Sequence, residues 1–342
     1  MIHLTFKNVG QGDSIILEWE DDKIAKICII DCNLFHGQNP VLDYIIKSKY
    51  KTIDYLILSH PHLDHFSGFL PLIEYCKANS IKILYFLHTC SQVPSFLESA
   101  TKSAETEREL QRLFIYLFRN YQSQSIKVAT IQGDAPNSSI PLNKQLALKV
   151  LSPTLDELNK YVWNAYYPFN EEESLDNPKA NWLSTIIKIE SESWYVLLTS
   201  DADKSSLIRI DKHESSELNK TLTIGQIPHH GASGNHNNTF WKKRIRFDKT
   251  AMVVSSGPNS YDHPSNQVIN FFLKYGFILY STSKKFYSDS QIPNASIKEL
   301  RENLNVFSYS DPGEIFDFNG DQTFLLDTTK ITYKYLSSYK QI

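Results

Sequence analysis

Residues 58–68 read LSHPHLDHFSG and crowd three histidines and an aspartate into the six positions from His60 to His65. The apolar run Ile53–Leu58 precedes them, so the cluster sits at the end of a predicted buried strand. His60 and His62 are two apart, and on an extended segment their side chains point the same way. Asp64 and His65 fall where the chain turns into the next helix, so they address a second, neighbouring point. Imidazoles packed this closely repel one another once partly protonated, and a shared cation removes that cost. The spacing therefore predicts metal ligation. Imidazole with carboxylate suits zinc or manganese, and the lack of cysteine in the cluster argues against a closed structural zinc site. The competing reading is a set of histidines that cap a helix and bond backbone.

The elements that must position this cluster can be read on either side of it. The opening 30 residues alternate apolar and polar around a Gly-Gln-Gly-Asp turn (10–13) and an Asp-Asp-Lys turn (21–23), as a strand meander does. A helix near 40–49, the strand 53–59, a helix over 68–79 and the strand 81–87 follow. The stretch 93–121 shows an apolar stripe behind a charged face and is expected to be helical. Strands recur at 126–132 and 145–151. Residues 154–181, with an acidic NEEES patch, read as an inserted loop or cap segment. A hairpin (183–189 with 194–200) opens the second half. Helices near 204–219, 238–246 and 265–275 then alternate with strands at 223–228, 251–256 and 277–282. Each half thus begins as a meander and continues as strand–helix alternation, which suits two sheets stacked face to face with helices outside. The expected division is a main domain over 1–305 and a C-terminal β/loop tail over 306–342 packed on it.

Composition sets outer limits. Hydrophobic residues make up 41% and charged residues 21%, an ordinary globular balance, and the net charge of −3 does not advertise a polyanion partner. The local basic run WKKRIRFDK (241–249) is either a solvated helix face or a substrate contact. Cys28, Cys32, Cys76 and Cys90 form no C-x-x-C pair and read as reduced core thiols. No apolar run approaches a membrane span and the N-terminus lacks a secretion pattern, so the expectation is a cytoplasmic protein with no membrane contact.

The H-x-H-x-D-H string after an apolar strand resembles the signature of the metallo-β-lactamase superfamily, a four-layer αββα sandwich in which this string serves two neighbouring metals. The resemblance implies further residues. Asp201 in YVLLTSDAD matches the carboxylate that bridges both metals. Asp31 in CIIDCN matches the buried aspartate that braces the histidine loop. PHHG (228–231) matches the late histidine motif, with His230 favoured as ligand and His229 facing substrate, although the two could exchange roles. Many members carry one more histidine ligand before the strand that ends in the bridging aspartate. Here that stretch is NPKANWL, no histidine occurs between His88 and His213, and Asn181 is the nearest equivalent. A softer first metal site is expected, with Asn181 or, less simply, His88 filling the vacancy.

NVGQGDSIIL (8–17), LLTSDAD (197–203), PHHGASG (228–234) and SSGPNSYDHPS (255–265) together resemble the hydrolase domain of ComEC-type competence proteins and their free-standing relatives. Phosphodiester hydrolysis is what that resemblance implies, on nucleic acid or a nucleotide, with two divalent ions holding a hydroxide between them. Asp64 would serve catalysis, and His229 and His263 would supply the leaving oxygen with a proton. The Gly12–Asp13 turn and His88 could contact substrate. Asp203 is either a helix N-cap or a contact to a substrate amine. Two other functions compete: hydrolysis of a carboxylic ester, lactone or thioester on the same fold, and a catalytically weakened binding or signalling module working with a partner protein.

Overall fold

Apolar residues in the strands split by parity between two cores, and this builds the layers. The computed structural model describes residues 1–342 except 91–100, 102, 123–124, 137, 167–179, 245–249, 262, 283–319 and 337–342. The first sheet holds β1 (Ile2–Phe6), β2 (Ile15–Asp21), β3 (Ile24–Ile30), β4 (Thr52–Leu58), β5 (Lys82–His88) and β6 (Lys127–Thr130), with β14 (Gln322–Leu326) and β15 (Tyr333–Leu336) added beside β1. The second holds β7 (Ser139–Asn143), β8 (Leu146–Ser152), β9 (Ile186–Glu190), β10 (Trp194–Leu198), β11 (Thr221–Gln226), β12 (Ala251–Val254) and β13 (Ile278–Ser281). Both run antiparallel first and parallel afterwards: β1 to β3 and β7 to β10 are antiparallel, β3 to β6 and β10 to β13 parallel.

Along β4, Leu56 and Leu58 face the helices while Ile57 faces the other sheet; along β10, Trp194, Val196 and Leu198 face inward while Tyr195 and Leu197 face outward. The central core is therefore shared by both sheets, as with Leu4, Leu17, Ile30, Leu148, Val196 and Val253. Outside the first sheet lie α1 (Pro40–Lys47), the short α2 (Leu63–Phe66), α3 (Phe69–Ala78) and α4 (Ala104–Gln122). Outside the second lie α6 (Lys204–His213), α7 (Asn238–Lys242) and α8 (Asn266–Lys274). The result is the αββα layering expected from the sequence.

Several boundaries differ from expectation. The helix expected over 93–121 runs from Ala104, and 93–100 and 102 lie outside the described residues. The expected loop 154–181 begins as a helix, α5 (Leu155–Tyr166), and closes with the 3-10 turn Ala180–Leu183, while its acidic patch lies outside the described residues. A capping box starts α5: Thr154 N–H donates to Glu157 Oε2 at 2.9 Å, and Glu157 N–H donates back to Thr154 Oγ1 at 3.3 Å. The helix expected over 204–219 stops at His213 and resumes only as the 3-10 turn Ser215–Leu218. α7 is one short turn, and the later part of the basic run, 245–249, lies outside the described residues. β7 was not anticipated; Pro141 within it fits a sheet edge, where no ladder N–H is missed.

Candidate metal centre

The histidines and carboxylates of the expected site leave the carboxyl ends of strands from both sheets. Asp31 follows β3, His60 to His65 follow β4, Asp201 follows β10, and His229 and His230 follow β11. Asp201 stands between the groups. Its Oδ2 lies 3.4 Å from His60 Nε2 and 3.5 Å from His229 Nε2, and its Oδ1 lies 3.4 Å from His230 Nε2 and 3.7 Å from His65 Nε2. His62 Nδ1 joins His60 Nε2 at 3.1 Å, and Asp64 Oδ2 reaches His230 Nε2 at 3.5 Å. The donor atoms of His60, His62 and Asp201 all fall within 4.8 Å of one another, as do those of Asp64, His65 and His230.

Orphaned atoms test whether a cation fits here. His65 Nε2, His230 Nε2 and Asp201 Oδ1 are buried and have no hydrogen-bond partner among the described residues, yet they converge on one point. Leaving three such groups dry costs of order 1–3 kcal/mol each, and a divalent cation would satisfy all three. The donor set is imidazole and carboxylate, so it suits that group chemically.

The outer nitrogens are braced, which turns the inner ones towards the cluster. His65 Nδ1 lies 2.7 Å from Asp31 Oδ2, and Asp31 also accepts from Ser59 N–H at 2.8 Å and Ser59 Oγ at 2.6 Å. His230 Nδ1 lies 2.7 Å from the Ser255 carbonyl, which can only accept, so Nδ1 carries a proton and Nε2 is the nitrogen turned to the cluster. The turn bearing Asp201 is held by one amide: Gln226 Oε1 accepts from Thr199 N–H and Ser200 N–H, each at 2.9 Å, while its Nε2 donates to Asp13 Oδ2 at 2.9 Å. Four residues around the centre, Asp31, Ser200, His229 and His230, have left-handed backbones at φ 60°, 46°, 49° and 53°. Such strain gathers at functional sites because the surrounding contacts over-determine it.

Charge is balanced within the cluster. Burial opposes a proton on His65, but Asp31, Asp64 and Asp201 outweigh it and hold the ring well above its ordinary value. Burial likewise opposes charge on His230, yet Asp201 and Asp64 raise it to about 9. His60 is held low by burial and by neighbouring His65. Asp201 and Asp64 resist the upward push of burial and lie below the ordinary carboxylate value because of the imidazoles around them.

Other expected residues are placed differently. His88 is 3% exposed, takes the Cys90 N–H on Nδ1 at 3.2 Å and packs its ring 4.9 Å from Phe114. It packs as a core residue, outside the groups of donors that surround Asp201. Asp13 is 1% exposed, and its backbone N–H donates to the Asp64 carbonyl at 3.1 Å. A Cβ on Gly12, at φ +133°, would stand 2.4 Å from that same carbonyl. The turn is thus wedged beneath α2. Asp203 is the N-cap residue of α6, as one of its two readings had it, though its side chain makes no cap bond; its Oδ1 accepts from Asn235 Nδ2 at 3.3 Å. Asn181 is brought to the centre, with Nδ2 3.0 Å from His229 Nδ1. His263 also arrives there, its ring centroid 5.5 Å from that of His229. Sequence reading missed Ser59, Ser200, Gln226 and Ser255; all four lie within quoted or neighbouring strand-end stretches, where polar residues after apolar runs were the available signal.

The chain is a mixed two-sheet sandwich with a His/Asp cluster on its strand-end rim. The family model of the metallo-beta-lactamase superfamily matches residues 13–109, and the layering of two sheets with helices outside is consistent with that superfamily's fold. No curated protein matches the chain. Among solved structures, it is similar to CmlA, a diiron beta-hydroxylase from Streptomyces venezuelae, at 11% identity over 94% of this chain and 54% of that one, TM-score 0.42. It is similar to a diphosphatase from the PhnP family at 12% identity over 96% and 98% of the two chains, TM-score 0.42. A long form RNase Z from yeast matches at 11% identity over 96% of this chain and 42% of that one, TM-score 0.38. The chain spans about half the length of the hydroxylase, 54%.

Proposed function

We propose that the chain is a metal-dependent hydrolase that cleaves phosphodiesters, with nucleic acid or a nucleotide as the substrate class. The observation that carries this reading is the division of four imidazoles by the two oxygens of Asp201, two to each. Two cations, zinc or manganese, would be held on either side of it: one by His60, His62 and Asp201, the other by Asp64, His65, His230 and the second Asp201 oxygen. When bound, such a pair supplies an activated water and neutralises charge gathering on a phosphorus centre.

The chain's own residues do the rest. Asp31 and the Ser255 carbonyl keep protons on the outer nitrogens of His65 and His230. Asp64, with 34% of its side chain exposed, is the cluster carboxylate open to solvent, since Asp13, Asp31 and Asp201 are buried. It can accept a hydrogen from the attacking water and so orient it. His263, beside His229 on the open side, is the candidate to hand a proton to the leaving oxygen. No described helix is long and apolar enough to cross a membrane.

The test offers metal-loaded protein bis(p-nitrophenyl) phosphate, single- and double-stranded DNA, RNA, and a p-nitrophenyl carboxylic ester. Diester cleavage that falls by about 100-fold or more in Asp64→Asn is the expected result. Ester turnover without diester turnover would instead assign a carboxylic ester, lactone or thioester hydrolase. Full metal occupancy with no turnover of either would leave a binding or signalling module.

A further inference from the structure

The two halves of the centre are unequal. Asp64, His65, His230 and Asp201 Oδ1 offer four donors on one side, whereas His60, His62 and Asp201 Oδ2 offer three on the other. The side that is short is the one whose extra histidine is absent from the stretch before β9. We propose that His229 completes the donor set of the first cation from the far end of the chain, and that Asn181 is the residue that aims its ring. The inference rests on the two-cation reading above and deepens it.

Three observations carry it. His229 Nε2 addresses the same carboxylate oxygen as His60, at 3.5 Å and 3.4 Å, while adjacent His230 addresses the other oxygen. Consecutive left-handed residues (φ 49°, ψ 51° and φ 53°, ψ 21°) turn the two rings apart, with planes 80° from parallel. Backbone of this kind is strained in residues other than glycine, so something must hold it. The backbone N–H of His229 donates to the Ser200 carbonyl at 2.9 Å, which ties the backbone of His229 to the residue just before Asp201. Ligand and bridging carboxylate thus share one frame.

The third observation is Asn181. Its amide lies 3.0 Å from His229 Nδ1, in the 3-10 turn that leads into β9. An amide offers an oxygen or, rotated about its last bond, an NH2 group. With the oxygen turned to Nδ1, the ring keeps its proton there and Nε2 is bare towards Asp201. The asparagine is thereby a positioning residue for a replacement ligand, not a ligand itself. His229 is absent from the groups in which every donor is within 4.8 Å of every other, and its side chain is 24% exposed. It closes the first site from the solvent side, so that cation would be the more readily exchanged. Proton delivery to the leaving oxygen then falls to His263.

Metal content and affinity test this without reference to turnover. Wild type, His229→Ala, His229→Gln, Asn181→Ala and His263→Ala would each be loaded with Zn²⁺ or Mn²⁺. Ions per chain would be counted by plasma emission, and the two dissociation constants measured by competition with a chromogenic chelator. Circular dichroism would confirm folding. Expected is a second, weaker ion loosened about 10- to 100-fold in both His229 variants and about 10-fold in Asn181→Ala, with His263→Ala holding both ions as wild type does. Both ions bound with unchanged constants in a folded His229 variant would overturn the inference, as would equal loosening in His263→Ala. Wild-type protein that binds two ions but cleaves no diester would overturn the proposed activity while leaving the ligand assignment to be judged by these constants.

Discussion

His88 and His230 are both buried imidazoles at strand ends, and their surroundings drive them in opposite directions. Around His88, burial among Phe86 and Phe114 has no carboxylate to offset it, and the ring falls to about 4. Around His230, the carboxylates prevail over burial and the ring rises to about 9. For His88 the folded value lies below the unfolded 6.5, so its contribution to stability is present above pH 6.5 and is lost as pH falls towards 4. The difference corresponds to about 3 kcal/mol. Metal-free His88→Leu should therefore lose less stability than wild type between those pH values, whatever the substitution costs at neutral pH. Urea midpoints across the range would check it, and parallel profiles for the two proteins would refute it. The same contrast explains what was readable. His60 to His65 announce themselves because the ligands are neighbours in sequence. Asp13 and Gln226 do not, because a strut through a buried amide is defined only by what surrounds it after folding.

At the scale of elements, backbone meets backbone where loops from the two sheets converge. A Cβ on Gly257 would stand 2.4 Å from Gly10 C and 2.5 Å from Gln11 N, atoms that cannot swing aside as a flexible side chain does. Gly257→Ala should push the loop after β12 off the 10–13 turn and displace the Ser255 carbonyl that holds His230. The expectation is a loss of about 1–3 kcal/mol, as for other overpacked sites, together with weaker metal binding. Chemical denaturation and chelator competition would read the two effects, and an unchanged affinity would count against the loop's role. Strands and their order along the chain were legible because apolar runs and turn residues are local. α5 was hidden by the polar and aromatic residues after it, though Thr154 and Glu157 spell a helix start. α6 ended early at Glu214, beyond which only a 3-10 turn forms.

Taken whole, the molecule is tied together by its last described strands. β14 pairs antiparallel with β1, and Phe324 within it is fully buried between the sheets, 6.3 Å from Phe6 on one side and 5.1 Å from Tyr280 of β13 on the other. Phe324→Ala should cost about 3–5 kcal/mol, seen as a lowered denaturation midpoint with the number of bound ions per chain unchanged at saturation. The layering was legible because each half repeats a meander followed by alternation. The place of the tail was not, because pairing across nearly the full chain leaves no mark in local pattern.

One consequence follows from the way the centre straddles both sheets. The loop with His60 to His65 is made early in synthesis, whereas Asp201, His229 and His230 emerge only after β1 to β6 and half of the second sheet. A growing polypeptide can offer an ion a few imidazoles but not the carboxylate that joins them. Full loading must wait until the segments bearing Asp201, His229 and His230 have docked on the first sheet, so occupancy of the proposed pair would itself report that the two sheets have come together.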